Sequence, residues 1–157
     1  MNYIVEHLPE QYTKIAWIDA DVLFFDPFWV EKVKTVLDLY PVVQLWNKLH
    51  CIGPEGDVAE ILTTIGHGAE HYKQRKTWSP GGALAARRDV FPLYDRQIIG
   101  SGDALCLESW IGMMHSHCIH QLTDGMRADF MPWSDVAFKK VNGQVTCMNF
   151  DGVHLYH

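Results

Sequence analysis

Asp19 and Asp21 stand two residues apart in "KIAWIDADVLFFDP", Lys14 to Pro27, a stretch that is otherwise largely apolar. Burying a charge is costly unless the charge is paired or bound to a metal. A carboxylate pair here therefore signals chemistry. In extended backbone, residues i and i+2 point to the same side. Both carboxylates can then reach one divalent cation, or a cation and a hydroxyl. Ile15 to Ile18 read as a short buried strand. In α/β folds, ligand sites lie just beyond the carboxyl ends of strands, which is where this pair falls. The bland reading of the same triplet is a turn or a cap.

Further candidates need the same weighing. His154 and His157 close the chain in "DGVHLYH". A neutral imidazole ligates Mn²⁺-like or Zn²⁺-like ions beside carboxylates, and it also occurs simply as a half-buried strand-end residue. Asp103, in "IIGSGDALCLE", sits behind glycines at an expected helix start. It can cap that helix, act as a base, or hold a hydroxyl. "HGAEH", His67 to His71, matches a zinc-peptidase pattern, but Gly68 weakens the helix that pattern requires. "HSHCIH", His115 to His120, reads as incidental histidines in a strand or loop. Trp78, Trp110 and Trp133 read as core or site-wall residues.

Composition bounds what these residues serve. The chain has 157 residues, 48% hydrophobic and 20% charged, an ordinary composition for one domain with a real core. Its formal charge of −6 does not suggest a nucleic-acid-binding surface. No apolar run approaches the ~20 residues of a membrane span, and "MNYIVEHLPEQ" lacks the pattern of a signal peptide. Cys51, Cys106, Cys118 and Cys147 show no C-x-x-C spacing and read as reduced thiols of a cytoplasmic protein.

The elements that must position these residues follow from periodicity. Tyr3 to Leu8 reads as the tail of a helix, and Lys14 to Ile18 as a strand. Trp29 to Leu39 reads as an amphipathic helix with Val30, Val33, Val36 and Leu37 on one face. Pro41 to Asn47 reads as a second strand. Asp57 to Ile65 and Glu70 to Lys76 read as weak helices. Gly81 to Phe91 holds a short apolar strand after a glycine pair. Gly100 to Met114 reads as a buried helix, Arg127 to Val141 as another, and "DGVHLYH" as a final strand. Alternating strands and helices predict one layered α/β domain spanning residues 1–157.

Taken together, these motifs resemble a GT-A-type glycosyltransferase, which uses a nucleotide-diphospho-sugar donor. "AWIDADVLFFDPFW" resembles the segment that carries the family's DxD motif. "WSPGGALAARRDVF" resembles the acceptor-side strand, "IIGSGDALCLESWIG" the helix start that closes over the sugar, and "GVHLYH" the C-terminal strand that offers a histidine to the metal. The resemblance runs from about Tyr12 to His157. It implies a GT-A-like mixed sheet flanked by helices. It implies Mn²⁺ or Mg²⁺ held by Asp21 and His154, with Asp19 on the metal or the ribose. His157 would be an alternative ligand or a phosphate contact. Gly81 and Gly82 would let the sugar or acceptor approach the backbone. Asp103 would hold or deprotonate the acceptor hydroxyl of an unspecified glycan, lipid or protein.

In such folds the base pocket is built from strands well before DxD, and Asp19 lies near the start of this chain. The expectation is therefore a domain truncated at its N-terminus, with an unpaired sheet edge that recruits another chain. Two alternatives stand beside it. "IDADV" and "GDALCLE" also resemble haloacid-dehalogenase-like phosphatases, with Asp19 as nucleophile, Asp21 as acid/base, and Asp103 and Glu108 as the later acidic residues. The other is a non-catalytic remnant of the glycosyltransferase fold.

Overall fold

The computed structural model describes residues 1–64, 78–96, 102–114 and 117–156. The expected strand β1 (Lys14–Ile18) and helix α2 (Trp29–Leu39) are both present, preceded by a short helix α1 (Asn2–His7). The chain builds two mixed sheets. The first contains β1, β3 (Val42–Gln44), β7 (Ala83–Arg87) and β8 (Val145–Cys147), in the order β1-β7-β3-β8. Here β7 runs antiparallel to both β1 and β3, and β3 runs parallel to β8. The second contains β2 (Val22–Phe24), β4 (Lys48–Ile52), β5 (Val58–Thr64), β6 (Trp78–Ser79) and β9 (Gly152–His154), in the order β2-β9-β4-β5-β6.

The first sheet is covered on both faces, and its sequence says so. Alternate residues of a strand face opposite sides, and a sheet buried on both sides carries near-continuous apolar runs. Val43, Ala83 and Ala85 pack with Val33 and Leu37 of α2. Val42, Leu84 and Ala86 pack with Leu105 and Trp110 of α3 (Gly102–Trp110), and with Phe130 and Ala137 of α5 (Asp124–Val141). A four-residue α4 (His117–His120) precedes α5. The start of α5 is fixed by Thr123, whose Oγ1 accepts from the Met126 N–H. Its end is fixed by Asn142 in the left-handed region at φ 50°.

The two sheets meet along a seam crossed four times: by residues 19–21 between β1 and β2, 45–47 between β3 and β4, 80–82 between β6 and β7, and 148–151 between β8 and β9. Backbone hydrogen bonds lock the crossings together. The Asp19 N–H donates to Gly82 O at 2.8 Å, the Leu45 N–H to Ala83 O at 3.1 Å, and the Asn47 N–H to Phe150 O at 2.8 Å. Trp46 is fully buried at the seam.

At the level of a mixed α/β fold with several helices, the structure agrees with the sequence reading. Two elements differ. "HSHCIH" was expected in a strand or loop, but His117–His120 is the short helix α4. Asp57 to Ile65 was expected to be helical, but Val58–Thr64 is strand β5, antiparallel to β4. The turn before it is closed by the Gly53 N–H donating to Asp57 O at 2.8 Å, with Gly56 at φ 81°. Val58, Ile61, Thr63 and Thr64 are β-branched and fit a pleated surface better than a helix. Arg127 to Val141 is helical as expected, and the helix begins earlier, at Asp124. Glu70 to Lys76, His67 to His71, Gly100, His115 and His157 lie outside the described residues. Among the described residues no helix is long and apolar enough to cross a membrane.

Candidate functional site

The DxD segment is the turn that carries the chain from one sheet to the other. The Val22 N–H donates back to Asp19 O at 3.1 Å, closing the turn over Ala20 and Asp21. Asp19 therefore stays beside Gly82 at the end of the first sheet, while Asp21 is delivered to the second. There β2 pairs with β9, placing Val22 opposite His154, and the Leu155 N–H donates to Asp21 O at 2.9 Å. The result is a side-chain contact between Asp21 Oδ2 and His154 Nε2 at 3.3 Å. Both side chains are about one-quarter to one-third exposed, at 27% and 29%.

A cleft of about 530 Å³ opens at this seam, within the size range of small-molecule sites. Asp19, Gly81, Gly82, Asp103 and His154 all line it. Asp21 is not among the lining residues and meets the cleft through its contact with His154. The fit around Gly81 is tight, since a Cβ there would come within 2.8 Å of Asp103 Oδ2. Gly82 has φ +84°, a backbone that only glycine adopts freely, and its carbonyl is the acceptor for the Asp19 N–H. The glycine pair thus lets the wall of the cleft close against Asp103 on one side and Asp19 on the other.

The electrostatics are acidic. Burial raises the Asp103 carboxyl pKa from its ordinary value, and the nearby charge of Asp19 adds to the push. Although Asp103 opens onto the cleft, its carboxyl is crowded by protein atoms, Gly81 among them. Among the described residues, the lining contains no Lys or Arg. Among them also, no group of three or more His, Cys, Asp and Glu side chains is gathered as a ready-made metal cage. Asp21 and His154 supply one oxygen and one nitrogen donor. A carboxylate oxygen with an imidazole nitrogen fits a Mn²⁺-like or Zn²⁺-like ion, whose remaining positions water and a ligand's oxygens would fill.

Several lining residues carried no signal in the sequence. Leu49, Cys51 and Leu62 come from β4 and β5, two strands that lack a motif. Cys51 is opposite His154 in the β4–β9 pairing and opposite Glu60 in the β4–β5 pairing. Burial, with the Glu60 charge behind it, pushes its thiol up, so it is no ready nucleophile. Gln44 is fully buried. Its Nε2 donates to Ser79 O at 2.7 Å and its Oε1 accepts from Thr64 Oγ1, tying the first sheet to the strand that leads into the cleft wall. Glu108, the later acidic residue of the phosphatase resemblance, is fully buried in α3 and does not line the cleft. Trp110 is a core residue, and Trp133 packs against the core while its Nε1 donates to Pro92 O at 3.0 Å.

No protein-family model, no curated protein and no solved structure matches this chain.

Proposed function

We propose that this chain is a GT-A-like glycosyltransferase domain, moving a sugar from a nucleotide-diphospho-sugar to an acceptor hydroxyl. The observation that carries the reading is the contact of Asp21 with His154 beside a cleft that Asp19 and Asp103 also line. A diphosphate cannot sit unaided in a cleft whose described lining carries Asp19 and Asp103 and no Lys or Arg. It needs a divalent cation, and Asp21 with His154 is the donor pair positioned for one. When bound, Mn²⁺ or Mg²⁺ would neutralise charge building on the departing diphosphate.

The chain's own residues then divide the remaining work. Asp21 and His154 would hold the cation that meets the diphosphate end. Asp19, fixed by its hydrogen bond to Gly82, contacts the ribose or joins the cation. Gly81 and Gly82 admit the sugar or acceptor close to the backbone. Asp103, packed against Gly81, accepts the proton of the acceptor hydroxyl. Its raised pKa suits that role, because a general base works best when its pKa approaches the working pH.

The phosphatase reading has less support. It needs the second acidic residue at the site, whereas Glu108 is in the core. One experiment separates the readings. The chain is incubated with Mn²⁺ and a panel of nucleotide-sugars, and released nucleoside diphosphate is measured. Mn²⁺-dependent release that is lost on Asp21→Ala supports the transferase. Hydrolysis of a generic phosphomonoester with Mg²⁺, without nucleotide-sugar turnover, would replace it with the phosphatase. Binding of the nucleotide-sugar without release would leave a non-catalytic form of the fold.

A further inference from the structure

The second sheet has two unlike faces. Strand alternation and register assign them. Leu49, Cys51, Leu62 and His154 face the cleft. The opposite face carries Leu23 from the β2 edge, Val153 from β9, His50 and Ile52 from β4, and Ile61 and Val58 from β5, and Phe25 and Leu155 adjoin it, one residue beyond β2 and β9. The pairings Leu23↔Val153, His50↔Val153, His50↔Ile61 and Ile52↔Val58 place them in one patch. The patch is open: Phe25 is 77% exposed, Val58 49%, Leu23 47%, Ile61 44% and Leu155 39%. Of the described helices, α2 packs against the first sheet and, through Trp29, against Phe24 of β2, while α3, α4 and α5 pack against one another.

From this face we infer that the chain forms a two-fold dimer in which the outer faces of two second sheets pack together as a sandwich. Area is the first argument. With roughly 150–200 Å² per large side chain, the exposed fractions of these five residues amount to about 450 Å² of apolar surface. That is the size of the largest apolar patch on an ordinary monomer, a patch that is often functional. A standard interface takes about 800 Å² from each partner, rather more than half of it apolar, which is about the area available here. Charge is the second argument. The polar centre of the face holds both signs. His50 Nε2 meets Asp151 Oδ2 at 3.1 Å, with Lys48 on the same side of β4. A face that carries its own complement suits a two-fold contact, in which each patch meets its copy. The cleft lies on the other face, so both sites stay open in the dimer.

Sedimentation equilibrium of the full chain tests this, from low micromolar to a few hundred micromolar. The expected result is a mass of twice the 18.0 kDa chain, rising with concentration. Ile61→Lys and Phe25→Asp should each weaken dimerisation at least tenfold, with circular dichroism unchanged. Leu39→Lys, on exposed α2, should leave it intact. A monomer across the whole range overturns the proposal. So does a dimer that survives both face variants, or one that Leu39→Lys dissolves. A monomer that co-sediments with phosphatidylcholine vesicles also overturns it, and assigns the face to lipid. None of these readouts depends on catalysis, so the dimer and the proposed transferase activity stand or fall separately.

Discussion

His154 Nε2 lies 3.3 Å from Asp21 Oδ2, joining the last strand of the fold to the turn after the first. The contact is enforced by backbone. Val22 pairs with His154 across β2 and β9, and the Leu155 N–H holds the Asp21 carbonyl. Neither side chain therefore needs a large rearrangement to present its donor atom.

If this pair holds the cation, each half is necessary. Asp21→Ala and His154→Ala should each lower Mn²⁺ affinity at least about tenfold when a nucleoside diphosphate is present, since losing even a supporting group beside a metal costs this much. Calorimetric titration reads it directly. Affinity unchanged in both variants would remove the cation from this position.

Asp103→Asn separates stability from activity. The folded-state pKa of Asp103 is raised by burial and by Asp19, so the folded chain holds this proton to higher pH than the unfolded chain does. The cost of ionising it is absent below the unfolded value of ~3.9 and appears as pH rises through the folded value. At neutral pH, Asn should therefore stabilise the metal-free chain. The gain is modest because the group opens onto solvent, on the order of 0.5 kcal/mol, or about 1–2 °C in melting temperature. Turnover should fall by roughly 10²-fold or more with loss of the base. In the parent chain, turnover should rise with pH across the raised Asp103 pKa. A variant as active as the parent would reduce Asp103 to a residue at a helix start.

Gly81→Ala tests the packing of the cleft wall. The new Cβ would meet Asp103 Oδ2 at 2.8 Å, so the flexible carboxyl must swing away. The fold should tolerate this within about 1 kcal/mol, while displacement of the base by about 1 Å should cost up to ~10²-fold in turnover. Thermal melts and steady-state rates measure the two effects separately. Equal loss of both would mean that Gly81 serves the fold rather than the site.

What the sequence revealed depended on whether a residue's signal was local. β1 and α2 were legible because their apolar periodicity is complete within the element. Asp19, Asp21, Asp103, Gly81, Gly82 and His154 stood out as charged, basic-ring or glycine residues at element ends, where side chains gather. β5 was misread because Val58, Ile61 and Leu62 stand at i, i+3 and i+4, a helical spacing, and only pairing with β4 draws out its β-branched residues as a strand. Leu49, Cys51 and Leu62 were missed through the same dependence on pairing. They become site residues only through the register that turns one face of the second sheet toward the cleft. The outer apolar face was invisible too, since it comes from four strands spread between Val22 and His154.

Gln44 was also silent, and it carries the last expectation. It is a buried amide in an apolar strand, donating to Ser79 O at 2.7 Å and accepting from Thr64 Oγ1. Gln44→Leu fits the same space but leaves a half-buried carbonyl and a buried hydroxyl without this partner, which should cost about 1–3 kcal/mol. At roughly 2–4 °C per kcal/mol for a chain of this size, the melting temperature should drop clearly. Gln44→Glu is the sharper variant. A protonated Glu can still donate to Ser79 O and accept from Thr64, while an ionised one has no proton to donate. Burial raises its pKa above the ~4.3 of the unfolded chain, so its stabilisation is present below that value and is lost as pH rises through the folded one. Melts of the Glu variant should approach the parent near about pH 4 and fall away from it toward about pH 8. A Leu variant as stable as the parent, or a Glu variant whose deficit does not change with pH, would show that the amide is not what fastens Ser79 and the cleft wall behind it.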